Sequence, residues 1–351
     1  MEFTYAACHK LHAPEKILIR GAVVPNMEVP ERLDALLLNL KKTGHTLVET
    51  VDFGREWISA VHDVGYLSFL ETAHQRWQKF QGISAGSNMH ALENLIHPHV
   101  FPHHSTREKP SSIQGQVGLY LSGGSCPMDS GTWEAAVGSV NSALTASQLV
   151  LKGAKQAYAL CRPPGHHAYA DLAGGFCYLN NAAISANYLA SSLGRVAIID
   201  IDAHHGNGTQ SIFYKRNDVY FTSVHTDPNH LFPFYAGYAH ERGEGAGLGY
   251  NLNLPLPLGA SDDMFSAAIS EGMASILNYG PAALVVSLGF DAFKGDPSAG
   301  LSVSTPGFHS AGQLIGRYKG PVVLIQEGGY VIDSLAENMS AFLDGFLAAR
   351  K

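Results

Sequence analysis

Four residues able to bind a metal or move a proton crowd the end of one apolar run. In VAIIDIDAHHGNGT (196–209) they are Asp200, Asp202, His204 and His205, ahead of a Gly-Asn-Gly turn. A run this apolar reads as a buried parallel strand, since a sheet covered on both faces needs no polar alternation. Folding alone gives no reason to end it in carboxylates and imidazoles. Buried, each costs several kcal/mol unless paired or bound to a metal. The space beyond the carboxyl ends of such strands is where open α/β sheets bind ligands. Residues i and i+2 of an extended segment share a side, so Asp202 and His204 can offer oxygen and nitrogen to one ion. Asp200 has the same parity but lies deeper. Zinc accepts mixed ligands, and catalytic zinc takes three from the protein and keeps one position open. The third candidate is Asp291, at the end of AALVVSLGFD. A lone aspartate often only turns a loop; the repeat of a buried strand ending in a carboxylate favours the ligand.

Two further strand ends extend the pattern. AYALCRPPGHHAYADLAGGF delivers His166 and His167 behind a rigid Arg-Pro-Pro-Gly turn, and PVVLIQEGGYVID delivers Tyr330 behind a Gly-Gly pair. Alone, either would be weak: the chain has three His-His pairs, and His103 and His104 in FPHHSTREKP read as solvated surface. A lone tyrosine is most often a core or interface residue. Convergence decides it, because four apolar strands each end in groups suited to hydrolysis.

Taken in order, RPPGHHA, DIDAHHGNGTQ, SLGFDAFKGDP and EGGY resemble the arginase-like zinc deacetylases that include histone deacetylases. Within them the similarity is closest to bacterial acetylpolyamine amidohydrolases. HKLH, VPNMEVPERL, VHDVGYLSFLETA and SGTWEAA extend it over nearly the whole chain. The resemblance implies a three-layer α/β fold with a central, mostly parallel sheet, and one zinc ion held by Asp202, His204 and Asp291. His166 and His167 match the tandem histidines, and Tyr330 the tyrosine that polarises the substrate carbonyl. Asp200 stands behind the first histidine and Asn207 behind the second, where some relatives carry aspartate. A structural potassium ion is implied among Asp200, Asp202, His204, Ser223 and Val224, with a second monovalent site at Phe213, Arg216, Val219 and Tyr250. Phe176 and Phe232 align with aromatic tunnel walls, and Gly175, Ser125 and Ile19 fall along the substrate.

The implied reaction removes acetyl groups from N-acetylated amines, with acetylpolyamines leading and acetyl-lysine peptides as the alternative. A non-catalytic binding module would not need the proton-transfer groups, and a two-manganese ureohydrolase would need more carboxylates. An anionic partner raises a histidine's pKa and an uncharged Asn207 does so less. His167 is therefore the expected base and acid and His166 an electrostatic aid, though the sequence also allows the exchange. The departures fall on substrate choice: Gln114 and Ser125 replace two glutamates that some acetylpolyamine amidohydrolases set around a cation, and Ile19 replaces a tunnel tyrosine.

The elements that must position these groups read as a single catalytic domain over residues 1–351, with no linker, charge block or repeat. Helices are expected at 30–42, 132–151, 180–193, 262–278 and 334–349. Residues 81–130 form the least regular stretch, expected as a functional loop; the resemblance implies that it narrows the tunnel mouth and builds a homodimer. Its His90, His97, His99, His103 and His104 are spaced too irregularly, around Pro98 and Pro102, to suggest a further metal site. A net charge of −7 without a basic stripe argues against nucleic acid. The lack of a long apolar run or leader-like start argues for a cytoplasmic protein. Cys8, Cys126, Cys161 and Cys177 form no CxxC pair and read as reduced thiols, with Cys126, in the loop, the one candidate for reactivity.

Overall fold

The computed structural model describes residues 1–81, 95–103, 108–298 and 300–351. Its strands are β1 (Glu2–Thr4), β2 (Lys16–Ile19), β3 (Ala22–Pro25), β4 (Thr46–Leu47), β5 (Gln156–Ala159), β6 (Val196–Asp200), β7 (Val219–Thr226), β8 (Asn251–Leu256), β9 (Ala283–Leu288) and β10 (Val322–Gln326). Eight of them form one sheet in the order β4-β1-β5-β10-β9-β6-β7-β8, and every neighbouring pair is parallel. The expected α/β fold is present. β2 and β3 make a separate antiparallel hairpin.

Strand periodicity divides the core into two layers. Val196 and Ile198 of β6 pack with the helices Val64–Gln81, Thr132–Leu151 and Asn181–Leu193. Ala197 and Ile199 face Pro30–Lys42, Asp262–Tyr279, Thr305–Gly316 and Ile332–Ala349. Both faces are covered, which is why β6, β9 and β10 are buried at every residue. Each large aliphatic side chain so buried contributes about 1.5–3 kcal/mol.

Helix ends depart slightly from expectation, for local reasons. Asn180 is not helical; its side chain accepts the Ala183 N–H and starts the helix at Asn181. Asp262–Tyr279 runs one residue further than expected and stops at Gly280, which takes a left-handed φ of 69°. The expected 334–349 helix begins two residues earlier, at Ile332. Residues 81–130 are less irregular than their composition implies, since they contain the helix Ile113–Tyr120, capped by Ser112. Among the described residues no helix is long and apolar enough to cross a membrane.

Candidate active site

β5, β10, β9 and β6 lie side by side, and the polar groups gather beyond their carboxyl ends. Asp202, His204 and Asp291 each bring a ligand atom within 4.8 Å of the others. Both carboxylates are fully buried, and 11 % of the His204 side chain is exposed. His204 Nδ1 lies 3.2 Å from Asp202 Oδ1 and 3.0 Å from Asp291 Oδ2, while Nε2 lies 3.0 Å from the Ser298 carbonyl. A carbonyl only accepts, so this partner fixes the proton on Nε2 and leaves Nδ1 to face a cation. The remaining carboxylate oxygens accept backbone N–H groups: Asp202 Oδ2 from Gly328 at 2.9 Å and Asp291 Oδ1 from Ala203 at 2.8 Å. Glycine is required for this approach, because a Cβ at Gly328 would stand 2.3 Å from Asp291 Oδ2.

The electrostatics are those of a site short of positive charge. Burial raises Asp200, raises Asp291 to about 7 with Asp202's charge adding, and raises Glu327 to about 7. Two carboxylates and an imidazole, oriented from behind and crowded by further buried acids, fit a divalent cation.

The tandem histidines are poised in opposite senses. His166 Nδ1 lies 2.9 Å from Asp200 Oδ2; burial opposes its charge, but Asp200 and Asp202 raise its pKa to about 10. His167 Nδ1 lies 2.6 Å from Asn207 Oδ1, which carries no charge. Burial, then the charges of His166 and His204, push His167 well below the usual imidazole range. The rings are 4.0 Å apart. Asp200 thus favours the cation at His166, while burial beside an uncharged Asn207 favours the neutral base at His167. Across the site, burial holds the Tyr330 hydroxyl well above its usual pKa, so it remains a donor.

Comparison with known proteins agrees with this geometry: the histone deacetylase domain matches residues 26–346. The chain belongs to the histone deacetylase family. It is a hydrolytic deacetylase of a metal-dependent family. It is 45 % identical over 346 residues to the acetylpolyamine amidohydrolase of Burkholderia pseudomallei, covering 97 % of each chain. It is 41 % identical over 352 residues to acetylpolyamine amidohydrolase 1 of Pseudomonas aeruginosa, covering 99 % of each. A crystal structure of acetylpolyamine aminohydrolase from Burkholderia pseudomallei superposes with a TM-score of 0.94 at 43 % identity, over the whole of both chains.

Relative to this histone deacetylase core, most sequence-predicted residues lie together. Phe232 stands 4.8 Å from His167, ring centre to ring centre, and Phe176 stands 5.7 Å from Tyr330. Gly175 belongs to the same wall, where a Cβ would meet His167 Cδ2 at 2.4 Å. The Ser125 carbonyl accepts the Phe176 N–H at 3.0 Å, and Gly124 accepts the N–H of Leu18, beside Ile19. β6 and β7 set Asp200 opposite Ser223, with Val224 next in line. Gln114 stands apart, exposed on Ile113–Tyr120, lining a cleft of about 440 Å³ with His99, Phe101 and Glu108. Among the residues for which the resemblance implied a second monovalent site, Arg216 stacks 4.9 Å from the Phe213 ring centre and pairs with Asp218 at 2.6 Å.

One sequence expectation needs adjustment. Cys126 is not a reactive loop thiol: it is fully buried, and burial pushes its pKa to about 12. His90 and His104 lie outside the described residues; among the described residues the donor clusters include none of the other loop histidines.

Sequence reasoning assigned no role to the groups that brace the site. Glu327 accepts the N–H groups of Gly165 at 2.7 Å and His166 at 3.2 Å. Arg32 donates to the Glu327 carbonyl at 2.8 Å and the Gly329 carbonyl at 2.5 Å, and lies 4.6 Å from the Tyr330 ring centre. Buried Glu28 joins Arg32 at 2.7 Å to Arg162 at 2.9 Å. The signal was present in EVPERL, RPPG and EGGY, as charged residues next to turn residues.

Proposed function

We propose that this deacetylase uses one zinc ion per chain to remove acetyl groups from N-acetylated polyamines or similar small acylamines. The observation carrying this reading is the buried Asp202, His204 and Asp291 donor set beside two histidines with unlike partners, Asp200 on His166 and Asn207 on His167. When bound there, zinc lowers the pKa of water and polarises the acyl carbonyl. His167, with its Nδ1 proton held on Asn207, keeps Nε2 free to take the proton of the attacking water and return it to the departing amine. His166, held as a cation by Asp200, stabilises the negative charge that builds on the acyl oxygen. Tyr330 donates a hydrogen bond to that oxygen. Phe176, Phe232 and Gly175 confine the substrate, with Ser125 and Ile19 nearer its far end. Potassium among Asp200, Asp202, His204, Ser223 and Val224 would neutralise part of the buried acid behind the site.

The substrate class comes from the relatives' names and from the narrow aromatic wall at Gly175. We take residues 1–351 as one cytoplasmic catalytic domain that pairs as a homodimer through 81–130, where Val100 and Phe101 are 66 % and 53 % exposed. The net charge of −7 gives no support to a nucleic-acid partner. The second reading, deacylation of acetyl-lysine peptides, is favoured by one feature: Ser125 and Gln114 supply no carboxylate to a polyamine. The test compares kcat/KM of the zinc-loaded protein on acetylputrescine, N8-acetylspermidine and an acetyl-lysine peptide. Polyamine preference is expected; peptide preference would move the chain to the lysine deacylases.

A further inference from the structure

Asp296 is a buried carboxylate outside the Asp202, His204 and Asp291 donor set, yet it joins two parts of the site. It lies five residues beyond Asp291, in the loop after β9, and is 7 % exposed. Its Oδ1 accepts the Ser298 N–H at 3.0 Å and the Ser298 Oγ–H at 2.7 Å. Its Oδ2 accepts the Tyr330 backbone N–H at 2.7 Å. The Ser298 carbonyl in turn meets His204 Nε2 at 3.0 Å. One carboxylate thus folds the segment that holds the metal-facing imidazole and also pins the turn that carries Tyr330.

We propose that Asp296 is a positioning residue, setting the Ser298 carbonyl behind His204 and the backbone of Tyr330 through a single side chain. It makes three charge-assisted bonds from two oxygens, and such bonds are shorter and stronger than neutral ones. Without them Ser298 is free to turn its carbonyl away from His204. The imidazole then loses the partner that keeps the proton off Nδ1. The same loss frees the Tyr330 turn on its Asp296 side, leaving it to the Arg32 contacts. The inference rests on the reading of Asp202, His204 and Asp291 as zinc ligands; it is independent of which acylamine is hydrolysed.

The test measures zinc dissociation from folded protein by competition with a chelator, without substrate, and kcat on acetylputrescine at saturating zinc. Asp296→Ala removes all three bonds. Asp296→Asn keeps the size and one accepting oxygen, and it decides the matter if the alanine variant fails to fold. The zinc dissociation constant is expected to rise about ten- to hundredfold in Asp296→Ala and by a smaller factor in Asp296→Asn, with kcat falling in both. Tyr330→Phe, which leaves the backbone bond in place, should lower kcat and keep the wild-type zinc affinity. Zinc affinity within twofold of wild type in folded Asp296 variants would overturn the proposal, even if they melt earlier. Wild-type protein that binds zinc but ignores acetylputrescine would strike the substrate assignment, not this one.

Discussion

On the floor of the site, Asp202 accepts bonds from Gly328 and His204, His166 is held through both its ring and its backbone, and Tyr330 sits between Asp296 and Arg32. Toward the rim, Ile19 ends a four-residue strand of a small hairpin and Ser125 lies in a loop. The floor belongs to the ends of buried strands and the rim to the connections between elements. Proton transfer needs groups fixed to within about 0.5 Å, whereas recognition of a long thin amine tolerates change on surface loops. Changes to the floor should therefore cost turnover, and changes to the rim should move KM.

The severest way to break this division is Asp291→Ala. It should abolish zinc retention and lower kcat/KM by about a thousandfold or more, reflecting several kcal/mol of lost transition-state stabilisation. In the wild type, chelation should remove activity and added zinc restore it; metal content and rate would be followed together. Tyr330→Phe comes next, with kcat down about 10²–10³-fold and metal content unchanged. Equal turnover in that variant would remove the carbonyl-polarising role.

Asn207→Asp sharpens the floor itself. The uncharged amide leaves His167 depressed by burial, whereas an anion there raises its pKa. The acid limb of kcat/KM against pH should then move to higher pH, by about one to three units. An unmoved limb would hand the base role to another group. The smallest effect belongs to the rim. Ser125→Glu should lower KM for acetylputrescine by about fivefold at most, with kcat constant and the gain shrinking as salt rises. A fall in kcat instead would show that rim and floor are not separable.

How far the sequence discloses this site follows from the same contrast. β6 and β9 were legible because burial on both faces writes an uninterrupted apolar run, and the i, i+2 rule brought Asp202 and His204 to one side. The helix Ile113–Tyr120 was hidden because it carries Gly115 and Gly118, poor helix formers. Gly118 is there for packing: a Cβ would stand 1.9 Å from the Val100 carbonyl. Cys126 was misjudged because its neighbours read as loop, although the segment folds into the core. The bracing residues left a local signal, but their pairing was illegible for a different reason. Glu28 and Arg162 meet across 134 residues and Arg32 and Gly329 across 297, and no local pattern encodes such partners.

That last distance has a consequence for how the enzyme comes into being. Arg32 is made 295 and 297 residues before its partners Glu327 and Gly329, which follow β10 directly. β10 must also slot between β5 and β9, both synthesised before it. Contacts of such sequence separation form late and slowly. A nascent chain therefore carries Asp202, His204 and Asp291 before it carries Tyr330, and stays catalytically silent until β10 and the turn beyond it have been made.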